Sequence, residues 1–282
     1  MASVYAAHPL FAFNLFVFYV DESVALSETD LKLQSQLHGK DNTVSFIKVD
    51  RDQLSKIDNG KGWAIDLWCR WYALDALVPK FERVLLLGID TFVRGDISKF
   101  YFQDMMGYYF ACAPDMYIAN TEPSAWPKIK NDMDKNGFIN KDLYINGDVV
   151  LVNLKETYGQ LSFDKFIEIY FVNQFTCWDQ DVINYVFSTR IKYQDSYIYN
   201  YFPNLGLTNI HDEVNMSKVK ILHFAGGPKP WNVNPWSAGS YCGIPEWWEV
   251  ARKEGLLSTF QYIKYIKRHL MKNLHKLFNK II

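Results

Sequence analysis

Cysteine is scarce in this 282-residue chain. Four residues, Cys69, Cys112, Cys177 and Cys242, are widely scattered, with no Cys-x-x-Cys pair. That argues against a zinc ribbon, gives a disulfide framework little support and points to a reducing compartment. An excess of one charge is missing too. Thirty Lys and Arg against 31 Asp and Glu leave a formal net charge of −1, which weighs against a nucleic-acid partner held by bulk charge. No leader or membrane span is legible. The apolar stretch Leu10 to Val20 is short, is interrupted by Asn14, and has neither a basic flank nor a small-residue cleavage site. It reads as a strand. There is no internal repeat and no low-complexity linker.

Apolar and aromatic residues are plentiful. Hydrophobic residues make up 49% and charged residues 22%, a balance that argues against disorder. Aromatics reach 17%, which suits a sugar-handling or membrane-facing protein and equally a Phe/Tyr-rich core. Short apolar runs at Leu15–Val20, Thr43–Val49, Arg83–Ile89, Tyr108–Ala113 and Val149–Asn153 predict buried strands. Helical stretches fall between them, at Thr29–Leu37 after Ser27 and at Trp63–Leu77 before Pro79. Pro123–Lys141 is polar and reads as a loop or a surface helix. The alternation predicts an α/β sheet covered on both faces.

In such sheets ligands bind outside the carboxyl ends of the strands. Asp90 stands at the mouth of RVLLLGI, where a carboxylate suits a divalent cation or, just as well, a turn or helix cap. YINGD leads into VVLVNL, WDQDVIN follows, and HFAGGPKPW comes last. Glycines beside a His and a Lys can cradle a phosphate or simply make a turn.

Taken in order, these segments resemble glycosyltransferase family 8, retaining enzymes that use nucleotide sugars. The family includes lipopolysaccharide galactosyl- and glucosyltransferases and is similar to glycogenin. VPKFERVLLLGIDTFVRGDISKFY resembles the stretch around the family's Asp-x-Asp motif, YINGDVVLVNL its Asn-Gly strand and WDQDVIN its Asp-Gln-Asp segment. HFAGGPKPW matches its His–Gly–Lys-Pro-Trp motif. The resemblance implies a GT-A fold, a Rossmann-like mixed sheet flanked by helices, over residues 1–255. It implies transfer of a hexose from a UDP-sugar to a saccharide or glycolipid acceptor in cell-surface polysaccharide synthesis. Asp90 and His223 would ligate Mn2+ or Mg2+. Asn146, Asp115, Gly226 and Lys229 would bind the donor, and Gln180, Asp179 and Lys229 would act in catalysis. Arg70 falls one position before the family's donor-binding arginine, where this chain has Trp71, and takes no role from the resemblance.

The chain departs from the family in three places. Gly88 stands at the leading Asp of Asp-x-Asp, and Asp148 replaces a glycine beside the sugar pocket. The family's first strand has no counterpart. These departures carry the expectations of a weakened metal site and of an alternative role, a degenerate member acting as a binding or scaffold protein at a membrane.

Residues 256–282 differ in character. Six Lys and Arg and no Asp or Glu make this segment +6 and the remainder −7. Leu256, Phe260, Ile263, Ile266, Leu270, Leu274, Leu277 and Ile281 recur mostly at steps of three and four. The pattern predicts a basic amphipathic helix at an anionic membrane surface, and with it a cytoplasmic protein on the inner membrane face.

Overall fold

The computed structural model describes residues 2–8, 11–20, 41–54, 65–78, 80–119, 126–157, 159–160, 162–173, 175–204, 215–227, 229–233 and 242–258, with single positions 261, 263 and 267. The predicted helix at Thr29–Leu37 and nearly all of the basic tail lie outside the described residues.

Eight strands are described. β1 (Asn14–Tyr19) and β2 (Thr43–Lys48) pair in parallel. β3 (Arg83–Leu87), β5 (Phe110–Pro114), β6 (Ile145–Asn153) and β7 (Ile191–Tyr193) form a four-stranded sheet in the order β3-β6-β5-β7. β6 runs antiparallel to both neighbours, and β5 and β7 are parallel. β4 (Thr91–Val93) pairs antiparallel with β8 (Ile221–His223) in a small separate sheet. Around them lie α1 (Ala2–Ala7), α2 (Cys69–Leu77), α3 (Pro127–Asn136), α4 (Phe163–Asn173), α5 (Trp178–Val186) and α6 (Ile244–Lys253).

The centre of the sheet shows why its strands read as unbroken apolar runs. Val150 and Val152 of β6 and Phe110 and Cys112 of β5 enter the larger core, with Trp71 and Leu74 of α2 and Phe166 of α4. Val149, Leu151 and Ala111 point the other way and pack with Phe100, Met105 and Ile221, against Val4 and Ala7 of α1. Side chains alternate between the faces, and both faces are covered, so neither set can be polar. Trp71 stacks on Phe166 with ring centroids 4.5 Å apart, which fixes α2 against α4.

The outer strands correct an expectation. β1 and β3 were predicted to be buried, yet their apolar side chains are only partly buried. Among the described residues each has a strand partner on one side only, and Phe16 of β1 meets Phe81, just before β3, edge-on at 5.4 Å. Within Pro123–Lys141 the surface helix is α3, which buries Met133 alone. Near the C-terminus Trp248 of α6 is a core residue. Its indole N–H donates to Pro230 O and Val233 O at 2.9 and 3.1 Å.

Candidate active site

Strand register builds the site. β3 ends at Leu87, and the next residue, Gly88, donates its N–H to Asp148 O at 2.7 Å. The turn that follows is closed by Thr91, whose N–H and hydroxyl both reach Gly88 O. Thr91 of β4 pairs with His223 of β8, so Asp90 is brought beside His223. Two ladders thus bring residues from three distant segments to one edge.

His223 is 1% exposed. Its Nδ1 lies 3.0 Å from Asn200 Oδ1, and an amide oxygen can only accept, so the Nδ1 proton faces Asn200. In the neutral ring Nε2 then carries the lone pair. That nitrogen faces Asp90 Oδ1 at 3.4 Å and Asp148 Oδ2 at 3.6 Å. The other carboxylate oxygens are held by cations. Lys229 Nζ donates to Asp90 Oδ2 at 2.5 Å and to Phe224 O at 2.8 Å. Arg70 Nη1 donates to Asp148 Oδ1 at 2.7 Å and to Gly147 O at 2.8 Å. Burial alone would raise the Asp90 carboxyl, but His223 and Lys229 outweigh it and hold it below the usual carboxylate range. Burial would likewise loosen the Arg70 proton, but Asp179 and Asp148 bind it more firmly than usual. As these groups stand, no three His, Cys, Asp or Glu among the described residues enclose an ion.

A chain of side-chain amides ending on Asp115 leads away from this edge. Asn200 Nδ2 donates to Asn146 Oδ1 at 3.2 Å, and Asn146 Nδ2 donates to Asp115 Oδ2 at 3.0 Å. Gln180 Nε2 donates to the same Asp115 oxygen at 3.3 Å, while Gln180 Oε1 accepts from Gly147 N–H at 2.9 Å. Asp115 Oδ1 accepts the N–H groups of Tyr117 and Ile118 at 2.8 and 3.2 Å. With water excluded, burial raises the Asp115 carboxyl above its usual range.

The WDQDVIN segment divides its polar residues between two jobs. Asp181 accepts from Tyr144 Oη at 2.5 Å and from Cys177 N–H at 2.6 Å. Asn184 exchanges bonds with Ile145 N–H and C=O at 2.7 and 3.0 Å. These two, one helical turn apart, bolt α5 to the start of β6. Asp179 and Gln180 face the site. Asp179 Oδ2 accepts from Arg70 Nε at 2.8 Å and from Trp71 Nε1 at 2.6 Å.

The glycine turn after β8 is held from one side. Tyr117 Oη donates to Ala225 O at 3.1 Å and Asn204 Nδ2 donates to it at 2.7 Å. Gly226 has φ +63°, and a Cβ there would sit 3.4 Å from Tyr117 Oη, so a side chain would be strained and crowded.

The structure therefore gathers Asp90, Asp115, Asn146, Asp179, Gln180, His223 and Lys229 around one edge, with Gly226 beside them. Two site residues carried no role in the sequence reading. Arg70 lies within the site after all. A 3₁₀ turn over Ile65–Trp68 precedes α2, and such a turn winds three residues per turn, so helix phase cannot be counted across it. Asp148 belongs to the Asp90–His223 edge as well as flanking the sugar side. The available signal was the reciprocal exchange, Gly where Asp is expected at 88 and Asp where Gly is expected at 148.

Comparison with known proteins identifies the fold and the family. Lipopolysaccharide 1,3-galactosyltransferase of Salmonella typhimurium is 22% identical over 290 residues, spanning 98% of this chain and 81% of that protein. Glycosyltransferase GlyF of Streptococcus pneumoniae is 20% identical over 262 residues, covering 90% of this chain and 61% of its own length. Among solved structures, galactosyltransferase LgtC in complex with donor and acceptor sugar analogues superposes with a TM-score of 0.65 at 22% identity, covering 91% of this chain and 90% of that one. An active-site mutant of LgtC gives 0.69 at 21% identity, covering 89% of each. The fold is thus the GT-A mixed α/β fold. The profile of glycosyl transferase family 8 matches residues 1–234, and this chain belongs to that family of glycosyltransferases.

Proposed function

We propose that this chain moves a hexose, with retention, from a UDP-sugar to a saccharide or glycolipid acceptor in cell-surface polysaccharide synthesis, with Mn2+ or Mg2+ held at Asp90 and His223. The observation that carries this reading is the continuous polar chain from Gln180 and Asp115 through Asn146 and Asn200 to His223. One end of it suits sugar hydroxyls, and the other suits a cation and a diphosphate. The donor set fits a hard divalent ion: carboxylate oxygens and an imidazole nitrogen whose tautomer a neighbour holds.

Each residue has a part to play. Asp115, Asn146 and Gln180 present acceptors and donors to sugar hydroxyls. Asp179 orients Arg70 with one oxygen and offers the other to the sugar. Lys229, half-exposed and tied to Asp90, brings its charge to the departing diphosphate beside the Gly226 turn. A divalent ion, when bound, neutralises the diphosphate and stabilises it as it leaves. The acceptor hydroxyl attacks from the face that the diphosphate leaves.

Calorimetric titration of UDP with and without Mn2+ tests this. Binding that requires Mn2+ is expected, and no binding under either condition overturns the proposal. A second reading, a binding or scaffold protein without catalysis, draws on Gly88 and on the Lys229–Asp90 pair, which satisfies that carboxylate without a metal. UDP binding indifferent to Mn2+, with no transfer or hydrolysis, would select it. For residues 256–282 we propose peripheral attachment to an anionic membrane on its cytoplasmic face, supported by the basic amphipathic pattern alone. No helix among the described residues is long and apolar enough to cross a membrane. Deleting 256–282 should abolish co-sedimentation with anionic phospholipid vesicles, and equal sedimentation of both proteins would end that reading.

A further inference from the structure

We infer that Asp148 supplies the carboxylate that Gly88 lacks, so that the cation site is rebuilt from the neighbouring strand. The inference rests on the divalent-cation reading above and assigns a third protein ligand to it. Two observations carry it.

The first is space. A Cβ placed on Gly88 would fall 3.0 Å from both Cβ and Oδ1 of Asp148. The Asp148 side chain thus occupies the volume into which a residue at 88 would project. That contact is tight, so a side chain at 88 would require Asp148 to shift by a few tenths of an ångström, and the two positions compete for the same space. The small residue at 88 and the acidic one at 148 are two halves of a single exchange, made adjacent by the hydrogen bond from Gly88 N–H to Asp148 O.

The second is orientation. Arg70 holds Oδ1 of Asp148, and Lys229 holds Oδ2 of Asp90. The remaining oxygens, Asp148 Oδ2 and Asp90 Oδ1, both face Nε2 of His223, at 3.6 and 3.4 Å. Bonds of about 2.1–2.4 Å at right angles set neighbouring ligands about 3.0–3.4 Å apart. The distances from His223 Nε2 to the two oxygens lie at or just beyond that spacing.

The test measures Mn2+ itself, by electron paramagnetic resonance of the free ion during titration into full-length protein mixed with equimolar UDP. Asp148→Asn keeps the shape and an acceptor for Arg70, and it should weaken Mn2+ binding at least tenfold with unchanged thermal unfolding. Gly88→Asp alone should not tighten binding, because the new side chain collides with Asp148. The exchange Gly88→Asp with Asp148→Gly should recover most of the loss, a rescue that a partner of Arg70 alone would not give. Wild-type affinity in Asp148→Asn, or no recovery in the exchange variant, overturns the inference and leaves the cation at Asp90 and His223. Failure of the wild type to bind Mn2+ beside UDP overturns the underlying reading, and the inference with it.

Discussion

The two ends of the buried polar chain are held by different kinds of partner. At the α5 end, Asp181 and Asn184 are satisfied by a tyrosine hydroxyl and backbone groups. At the β4–β8 end the partners are formal charges: Lys229 on Asp90, Arg70 on Asp148, with His223 between the carboxylates. The neutral end is buried, has no reason to exchange partners and costs stability to break. The charged end is partly open to solvent. Its ion pairs offset one another only in part, so incoming cations and phosphates can displace them. The comparison separates a scaffold from a set of groups waiting for a ligand.

Substitutions can break that comparison. The largest effect is expected for Asp181→Ala, which strands the Tyr144 hydroxyl and the Cys177 N–H in the core. It should lower unfolding stability by about 2–4 kcal/mol in a denaturant titration. A loss under about 1 kcal/mol would mean that the α5 end is not a scaffold.

The next effect concerns pH. Burial pushes the Asp181 carboxyl up to about 6, above its unfolded value near 4. The folded state therefore takes up this proton more readily. Its contribution is fully present below about pH 4 and is lost as the pH rises through 6. Relative to Asp181→Asn, the wild type should lose on the order of 2 kcal/mol across that interval and change little above it. A flat difference between the two proteins would show that Asp181 does not titrate there.

The smallest effect on stability belongs to the charged end. Asp90→Asn should cost less stability than Asp181→Ala, because the pair with Lys229 is partly open to solvent, and yet remove Mn2+-dependent UDP binding. A larger loss of stability with intact binding would reverse the roles of the two ends.

Much of this was legible in the residues. The segments read as strands became β1 to β3, β5 and β6, because a strand covered on both faces must be apolar throughout. The α/β class followed from the way they alternate with helical patterns. His223, Lys229 and Gly226 stand close in sequence on one strand and its turn, and Asp179 and Gln180 on one helix end, and it was the family resemblance that assigned them to one site. The burial of β1 and β3 was overestimated. An apolar strand can be recognised locally, but how many neighbours it will have is set elsewhere.

By itself, then, the sequence determined which long apolar segments are strands, though not the short β4, β7 and β8, and through the family resemblance which residues to look for in one site. The tertiary structure alone decided that Gly88 and Asp148, sixty positions apart, share one pocket, and that Arg70 reaches both Asp148 and Asp179. Local propensity spans a few residues, whereas register between distant strands is chosen by how whole faces pack, and only that choice says which side chains meet.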